Sequence, residues 1–272
     1  MTDFNGTTIL VTGGASGIGR LIALKAARLG STVVVWDLDE TKLEAVLRDL
    51  RRCTSRAVRG YVCDVSDQKA VATTATTVAG DVGDVDILVN NAGVVSGTPL
   101  LETSNEQIER TFRVNVLALF WVTKAFLPGM MRRNDGHIVN ISSAGGLIGV
   151  PRQTDYSASK HAVVGFNESL RAEMHRLAPG VRTTVVCPFY IDTGMFAGAK
   201  TRIPLLLPIL HEDDVATRVI KAVRKNKEQL LMPPLVHLVS PLRVLPVPVF
   251  DLIASVLGVH ASMDDFVGRA EQ

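Results

Sequence analysis

Residues 7–30, TTILVTGGASGIGRLIALKAARLG, read as a buried strand, a glycine-rich turn and an amphipathic helix in immediate succession. The apolar run at residues 9–11 has the length and composition of a parallel strand buried on both faces. Gly13, Gly17 and Gly19 let the backbone approach a pyrophosphate, whose charge is met by free N–H groups at the helix N-terminus. The stretch therefore predicts a nucleotide site. Its G-x-x-x-G-x-G spacing differs from the usual G-x-G-x-x-G, and a purely structural turn is the alternative.

The composition is that of one soluble domain. With 272 residues, 47% of them hydrophobic and 21% charged, the chain can bury one large core. Basic and acidic residues number 29 and 27, a balance that gives no indication of a nucleic-acid partner. The 3 cysteines fit no metal or disulfide spacing and favour core positions in a reducing compartment. The N-terminus shows no secretory signal, and prolines and charges interrupt the apolar stretch 230–259, so we expect a cytoplasmic protein without a transmembrane segment.

Strand and helix patterns alternate along the rest of the chain. The further strand patterns lie at residues 31–36, 58–63, 85–89, 137–141, 181–187 and 229–232. Such alternation predicts an α/β fold in which helices cover both faces of a parallel sheet. Ligands of these sheets bind beyond the carboxyl ends of the strands. We therefore expect Gly13, Asp37, Asp64 and Asn90 along one edge of the sheet.

Asp37 bears on the choice of cofactor because it ends the second strand pattern. A carboxylate there accepts two hydrogen bonds from the diol of an adenosine ribose and repels a 2′-phosphate, so NAD is expected over NADP. Two alternatives stay open. Asp37 could instead cap the helix that starts near Asp39, and Arg20 beside the turn could favour a phosphate.

Four polar residues later in the chain are candidates for chemistry. Asn115 lies within a long helical pattern at residues 104–131, where asparagine is a poor helix former. The fifth strand delivers Ser143 to the same sheet edge. Tyr156 and Lys160, four residues apart, share a helix face. Each observation is weak alone, since Asn115 could simply be bonded at a bend and a Tyr-x-x-x-Lys pair is common.

The combination is far more specific than its parts. In chain order stand TGGASGIG at 12–19, Asp64-Val65, NNAG at 90–93, Asn115, Ser143, Tyr156 and Lys160. This set resembles the short-chain dehydrogenase/reductase superfamily across essentially the whole chain. The segments FLPGM, TTVVCPFYIDTGMF and LGVHASMDDFVG are similar to the branch that contains retinol dehydrogenases and 17β-hydroxysteroid dehydrogenases.

The resemblance implies a doubly wound Rossmann fold, with a seven-stranded parallel sheet in the order 3-2-1-4-5-6-7 and a single domain over residues 1–272. Residues 189–210 are expected to form a lid over the substrate, and residues 233–272 an apolar C-terminal extension. Because members of this superfamily are commonly dimers or tetramers, the resemblance also implies a homodimer or homotetramer, with contacts around residues 112–131 and 161–177.

The resemblance further implies hydride transfer between NAD and a lipophilic alcohol of the retinol, steroid or long-chain type. Tyr156 is expected to be the general acid/base, and Ser143 to bond the reacting oxygen. Asn115 would hold a proton-relaying water. An ammonium on Lys160 roughly 4 Å from the phenol would lower its pKa by about three units, and Lys160 would also bind the nicotinamide ribose. The other expected cofactor contacts are Gly13, Ser16, Gly17, Ile18, Gly19, Asp37, Asp64, Val65, Asn91, Ala92, Gly93, Tyr156, Pro188, Ile191 and Thr193.

Two rival functions stay open: an NADP-dependent carbonyl reductase, and a catalytically silent NAD-binding sensor or scaffold, since a fold does not fix a function. The complete Ser143, Tyr156 and Lys160 set disfavours the sensor. Apolar residues in the lid predict an apolar substrate pocket, and the alternative is a stripe that packs on the core or on another subunit. The apolar tail is a candidate for peripheral contact with a membrane or a partner chain.

Overall fold

Seven parallel strands form the central sheet in a computed structural model, which describes residues 1–268. Their order is β3-β2-β1-β4-β5-β6-β7, which confirms the predicted doubly wound sheet. The strands are β1 (Thr8–Thr12), β2 (Thr32–Asp37), β3 (Val58–Val62), β4 (Ile87–Asn90), β5 (Gly136–Ile141), β6 (Val181–Pro188) and β7 (Gln229–Met232). The order reverses between β1 and β4, so a crevice opens beyond the carboxyl ends of these two strands.

Helices cover both faces of the sheet. They are α1 (Gly17–Arg28), α2 (Glu40–Cys53), α3 (Gln68–Val82), α4 (Asn105–Phe112), α5 (Ala118–Arg133), α6 (Thr154–Leu177), α7 (Glu212–Arg224), α8 (Val239–Leu242) and α9 (Val247–Val256). Alternate residues of each strand point to opposite faces, so Ile9 and Val11 pack with α1, α2 and α7, whereas Leu10 packs with α3, α5 and α6. Both faces of the central strands are therefore core.

The long helical pattern at residues 104–131 is not one regular helix. A π-helical turn, Arg113–Leu117, separates α4 from α5. Asn115 lies in this turn, and its side chain bonds outward to a neighbouring loop and helix rather than to its own helix. The apolar periodicity continues through the turn, so the sequence pattern alone does not reveal the interruption.

The stretch Asn105–Arg133 also has the length of a membrane-crossing helix, and an 18-residue window within it has a mean hydropathy of 1.4. In the fold it spans α4, the π-helical turn and α5, and 44% of its apolar window is buried. Arg133 at its end is ion-paired with Asp84 and Asp86. The core helix of a soluble protein meets the same criterion, so this stretch is weak evidence for a span.

The C-terminal extension returns to the lid after α8 and α9. Val267 donates its backbone N–H to the Ala197 carbonyl (3.0 Å), and Lys200 donates its own to the Ser262 carbonyl (2.9 Å). The ring of Phe266 lies where a side chain at Gly97 would be. The extension was predicted to run to residue 272, and residues 269–272 lie outside the described residues.

Candidate active site

The glycine turn between β1 and α1 has a backbone that only glycine fits easily. Gly13 and Gly17 have φ values of 60° and 51°, in the left-handed region. A Cβ added at Gly19 would collide with the Gly13 carbonyl oxygen and the Asn91 side chain. The helix α1 begins at Gly17, earlier than the apolar pattern suggests, and its free N–H groups face the crevice. The turn therefore forms a cradle suited to a pyrophosphate.

A cleft of about 450 Å³ opens beyond the carboxyl ends of the strands. The sequence-predicted residues that line it are Gly13, Ser16, Gly17, Ile18, Gly19, Asp37, Asp64, Val65, Asn91, Ala92, Gly93, Ser143, Tyr156, Lys160, Pro188, Ile191 and Thr193. Of the predicted set, Asn115 lies behind the cleft wall. Lys42 and Arg110 also line the cleft. Neither was predicted, because basic residues on amphipathic helices have the pattern of a solvent-exposed face.

Asp37, at the end of β2, is hydrogen-bonded to the glycine turn. One carboxylate oxygen accepts the Ala15 N–H at 2.9 Å, and the other accepts the Asp39 N–H at 3.1 Å. Asp39, not Asp37, caps α2, by accepting the Lys42 N–H at 2.9 Å. The capping alternative for Asp37 is therefore wrong.

Arg20, the base that could have favoured a phosphate, is ion-paired with Asp49 of α2 at 2.7 Å. The hydrogen bond that Asp49 accepts from Arg20 lowers the pKa of that carboxyl, in keeping with a charged pair. The guanidinium is thus directed at α2.

Asn91 braces two strands at the cleft floor. Its side-chain amide donates to the carbonyls of Thr12 and Gly13, both at 2.9 Å. Its backbone N–H donates to the Thr12 hydroxyl at 3.0 Å. The predicted contact of Asn91 with a cofactor sugar must therefore come from its carbonyl groups rather than its amide donors.

Asn115 occupies the π-helical turn, where it is 3% exposed. Its amide oxygen accepts the Val94 N–H at 2.9 Å, and its amide nitrogen donates to the Val94 carbonyl and the Ser159 hydroxyl, both at 3.0 Å. The outward bonds agree with the alternative of an internally bonded asparagine at a bend. They also tie the loop after β4 to the helix α6, which bears Tyr156 and Lys160.

Ser143, Tyr156 and Lys160 meet at the inner end of the cleft. Tyr156 and Lys160 are each 4% exposed, and the Lys160 Nζ lies 5.6 Å from the Tyr156 ring centroid. Nζ donates to the Ile141 carbonyl at 2.9 Å, which fixes the ammonium against the end of β5. Ser143 follows the same strand, and its hydroxyl accepts the Gly145 N–H at 3.1 Å.

The pKa values of Tyr156 and Lys160 are shifted in a direction that was not expected. Burial raises the pKa of Tyr156 above its usual value, and the hydrogen bond with Ser143 lowers it by less. Burial also lowers the pKa of Lys160 to about 8. The expected lowering of the Tyr156 pKa by Lys160 is therefore not seen, because loss of hydration disfavours the charged form of each group.

Aromatic side chains of the lid cover Tyr156. The rings of Phe196 and Tyr156 meet edge to face with centroids 5.6 Å apart, and Phe196 in turn contacts Tyr190 at 5.1 Å. Phe189 packs on Tyr190 at 4.6 Å. These contacts place Phe196 against the ring of Tyr156, and the role of residues 189–210 as a lid stays a prediction.

A second, apolar cavity of about 80 Å³ adjoins the cleft. Ser143 and Phe189 line both spaces, so these two residues lie between them. The remaining walls come from the segment after Ser143, the lid and the C-terminal extension, and include Ile148, Val150, Leu207, Leu235, Phe250, Ile253, Ala254 and Leu257. Apolar volume therefore starts beside the serine hydroxyl.

No cluster of metal-ligating side chains occurs in the described part of the chain. Within residues 1–268 no group of three or more His, Cys, Asp or Glu side chains is arranged to hold a metal ion. The cysteines Cys53, Cys63 and Cys187 are free thiols in this structure.

Known proteins resemble this chain in sequence over nearly its whole length. Residues 7–203 match the family described as short chain dehydrogenase. Epidermal retinol dehydrogenase 2 of Homo sapiens is 42% identical over 269 residues, covering 98% of this chain and 87% of that protein. Short-chain dehydrogenase/reductase family 16C member 6 of Bos taurus is 41% identical, covering 98% and 85%. Retinol dehydrogenase 10 of Xenopus tropicalis is 38% identical over 295 residues, covering 98% and 86%.

Solved structures of short-chain dehydrogenases/reductases are similar to this fold. A short chain dehydrogenase/reductase from Burkholderia phymatum in complex with NAD superposes with a TM-score of 0.82 at 31% identity, covering 92% of this chain and 96% of that one. A metagenomic short-chain oxidoreductase in complex with NADP gives 0.71 at 31% identity, covering 86% and 99%. The chain therefore belongs to the short-chain dehydrogenase family, in the branch of the retinol dehydrogenases, and is an NAD(P)-dependent oxidoreductase that acts on CH–OH groups.

Proposed function

We propose that this enzyme transfers a hydride between NAD and a lipophilic alcohol or its carbonyl, with Tyr156 as the general acid/base. The observation that carries the proposal is the junction at Ser143. On one side lies the cleft with the glycine turn, Asp37, Tyr156 and Lys160, and on the other lies a cavity lined by apolar side chains. A carbinol placed at Ser143 has the acid/base beside it and apolar volume for its carbon skeleton.

The residues present fit a dinucleotide. The glycine turn leaves no room for a Cβ at Gly19, and its N–H groups suit a pyrophosphate. The carboxylate of Asp37 lines the cleft at the end of β2, where it suits the two hydroxyls of an adenosine ribose. A 2′-phosphate would meet this negative charge, which favours NAD over NADP.

Each polar group has one task in the mechanism. Ser143 donates a hydrogen bond to the substrate oxygen and holds it near the Tyr156 hydroxyl, which takes the alcohol proton during oxidation and returns it during reduction. With a pKa of about 8, Lys160 is mostly protonated at neutral pH, and its charge favours the phenolate. Bound NAD would supply the acceptor for the hydride, and the positive charge of its nicotinamide would also favour the phenolate.

The aromatic lid contributes by excluding water. Phe196 covers the ring of Tyr156, so that charges in the closed site interact more strongly than they do in solvent. Asn115 is proposed to hold a proton-relaying water from behind the cleft, beside Ser159. Its bonds to Val94 fix the position from which it would do so.

The apolar cavity supports a lipophilic substrate. Its walls are carbon-rich apart from Ser143, Gln153 and Tyr190, so it suits an apolar group better than a polar one, and at about 80 Å³ it would take only the part of a retinoid, steroid or long-chain skeleton nearest the carbinol. Leu207 of the lid segment is 6% exposed, packs with Ala254 and Val259, and lines this cavity, so its position fits both the pocket and the alternative that the segment packs on the core.

Peripheral membrane contact is part of the proposal. Val249, Leu252 and Val256 share one face of α9 and are 44%, 64% and 55% exposed. The opposite face of α9, with Phe250 and Ala254, is a wall of the apolar cavity. We therefore propose that α9 lies in the surface of a bilayer, from which a lipophilic alcohol would enter.

We further propose self-association through α5 and α6. Phe120 is 44% exposed on α5 and packs edge to face on Phe166 of α6 at 4.7 Å, which leaves an apolar surface between the two helices. Sedimentation at micromolar concentration should give a dimer or tetramer, and a monomer would contradict this part of the proposal.

The test of the function is nicotinamide reduction by the purified protein, with NAD or NADP and a panel of retinol, steroid, long-chain and short polar alcohols. We expect turnover with NAD and a lipophilic alcohol. Turnover mainly with NADP and a carbonyl would favour the carbonyl reductase. Tight NAD binding without turnover on any alcohol or carbonyl would favour the silent sensor.

A further inference from the structure

A buried carboxylate next to Tyr156 has no part in the chemistry described above. Asp155 is 5% exposed and lies in the first turn of α6, immediately before Tyr156. One of its oxygens accepts the Ser96 hydroxyl at 2.7 Å, and the other accepts the Thr111 hydroxyl at 2.8 Å. A buried carboxylate is costly unless its oxygens are bonded, and here two hydroxyls and the N-terminal end of α6 compensate the charge.

The two hydroxyls belong to segments that flank the cleft. Ser96 lies in the loop between β4 and α4, which has no regular secondary structure from Asn91 to Thr98 and supplies Gly93 and Val94 to the cleft wall. Thr111, 2% exposed, is the penultimate residue of α4, just before the π-helical turn that carries Asn115. Asp155 thus joins the loop, α4 and the catalytic helix through one side chain.

Asn115 makes a second junction between the same three segments. It bonds Val94 of the loop and Ser159 of α6, whose hydroxyl donates to the Tyr156 carbonyl at 2.7 Å. The loop is therefore held at Val94 by an amide and at Ser96 by a carboxylate. Without the carboxylate, the part of the loop beyond Val94 would lose a charge-assisted bond, which is stronger than a neutral one.

We propose that Asp155 is a positioning residue, which holds the substrate-side loop and α4 against the catalytic helix so that Tyr156 faces the alcohol. It touches neither the reacting atoms nor the cofactor in this role. The kinetic part of its test rests on the proposed function, because it needs an alcohol that the enzyme turns over.

The primary experiment is hydrogen exchange, which needs no substrate. In Asp155→Ala, the Val94 amide, which donates to Asn115, should exchange at least about tenfold faster than in the native protein, while the amides of β4 keep their protection. The matched control is Leu170→Ala, which creates a cavity on the same helix, away from the loop. Its Val94 amide should keep the native rate at a temperature where both variants are folded.

The second readout is kinetic. With an active alcohol, Asp155→Ala should lose about ten- to a hundredfold in kcat/KM through misplaced groups, while the Kd for NAD changes less than about twofold. Ser96→Ala removes one of the two bonds and should lose less. Asp155→Asn should recover most of the loss, since the amide can accept from one hydroxyl and donate to the other.

The outcomes separate the hypotheses. An unchanged exchange rate of the Val94 amide in Asp155→Ala would overturn the proposal, as would a kcat/KM no lower than that of Leu170→Ala. If the native enzyme oxidises no alcohol, the proposed function fails and the exchange result alone decides on Asp155.

Discussion

At the scale of single residues, the side chains around the cleft divide into those that line it and those that brace it. Asp37 does both, since it lines the cleft while its oxygens accept the N–H groups of Ala15 and Asp39. The side-chain amides of Asn91 and Asn115 donate to backbone carbonyls and to the Ser159 hydroxyl. The precision of the site therefore depends on polar groups whose partners belong to the protein.

Asp37→Ala tests the choice of cofactor. Removing the carboxylate removes both the acceptor for the ribose diol and the repulsion of a 2′-phosphate. We expect the ratio of kcat/KM for NAD to that for NADP to fall by about tenfold or more, which corresponds to about 1.4 kcal/mol. Asp39→Ala is the control, since Asp39 caps α2 and also lies at the cleft rim. An unchanged ratio in Asp37→Ala would count against the NAD assignment.

Phe189→Ala tests where the carbon skeleton of the substrate lies. Because this ring separates the cleft from the apolar cavity, its removal should join the two spaces and favour bulkier alcohols over straight-chain ones. Phe250→Ala enlarges only the far wall, so it should extend the accepted chain length, with each added methylene contributing about fourfold in kcat/KM. A substrate profile that neither variant alters would place the skeleton under the lid instead.

At the scale of elements, strands were predicted more securely than the boundaries of helices. The central strands are continuous apolar runs because both of their faces are buried, and this pattern is unambiguous in the sequence. The start of α1 at Gly17 and the π-helical turn at Asn115 depend on backbone geometry and on partners distant in sequence. Local sequence patterns do not reveal partners that are distant in the chain.

The helix α9 gives the element-scale prediction. Replacing Val249, Leu252 and Val256 together with serine should weaken binding to lipid vesicles, because the apolar face that enters the bilayer is lost. Each of these side chains faces solvent in the monomer, so the melting temperature should change little. Flotation with vesicles measures the effect, and Asp251→Ser on another face of α9 is the control. Equal flotation of the triple variant and the native protein would contradict membrane contact through α9.

At the scale of the whole molecule, the family resemblance predicted the sheet order and the location of the cleft. The apolar residues of segment 189–210 predicted an apolar pocket, but no local motif indicated that the tail packs on this segment. Phe266 reaches Gly97, and Val267 pairs with Ala197, so these contacts join segments far apart in the chain. The tail was predicted to be apolar, but only the fold showed that it supplies cavity walls.

His137 connects stability to pH. It is fully buried in β5, and burial, together with the charge of Arg182, lowers its pKa to about 4. A base with a depressed pKa stabilises the fold above its unfolded pKa of about 6.5, and this contribution is lost as the pH falls from there towards 4. We expect it to fall by about 2 kcal/mol between pH 7 and pH 5.

Urea unfolding at the two pH values measures this effect. The difference should be smaller by that amount in His137→Gln, which keeps a polar side chain but does not titrate. A native protein whose pH dependence matches that of the variant would show that His137 is not a buried neutral base.

The central claim is that Tyr156 transfers the proton while NAD takes the hydride from a lipophilic alcohol. Its most direct test is the rate of NAD reduction by Tyr156→Phe and the native protein, with a long-chain or retinoid alcohol at saturating NAD. We predict a loss of about 10²–10⁴-fold in kcat, with the Kd for NAD unchanged because only the hydroxyl is removed. A variant that oxidises the alcohol at the native rate would contradict the account.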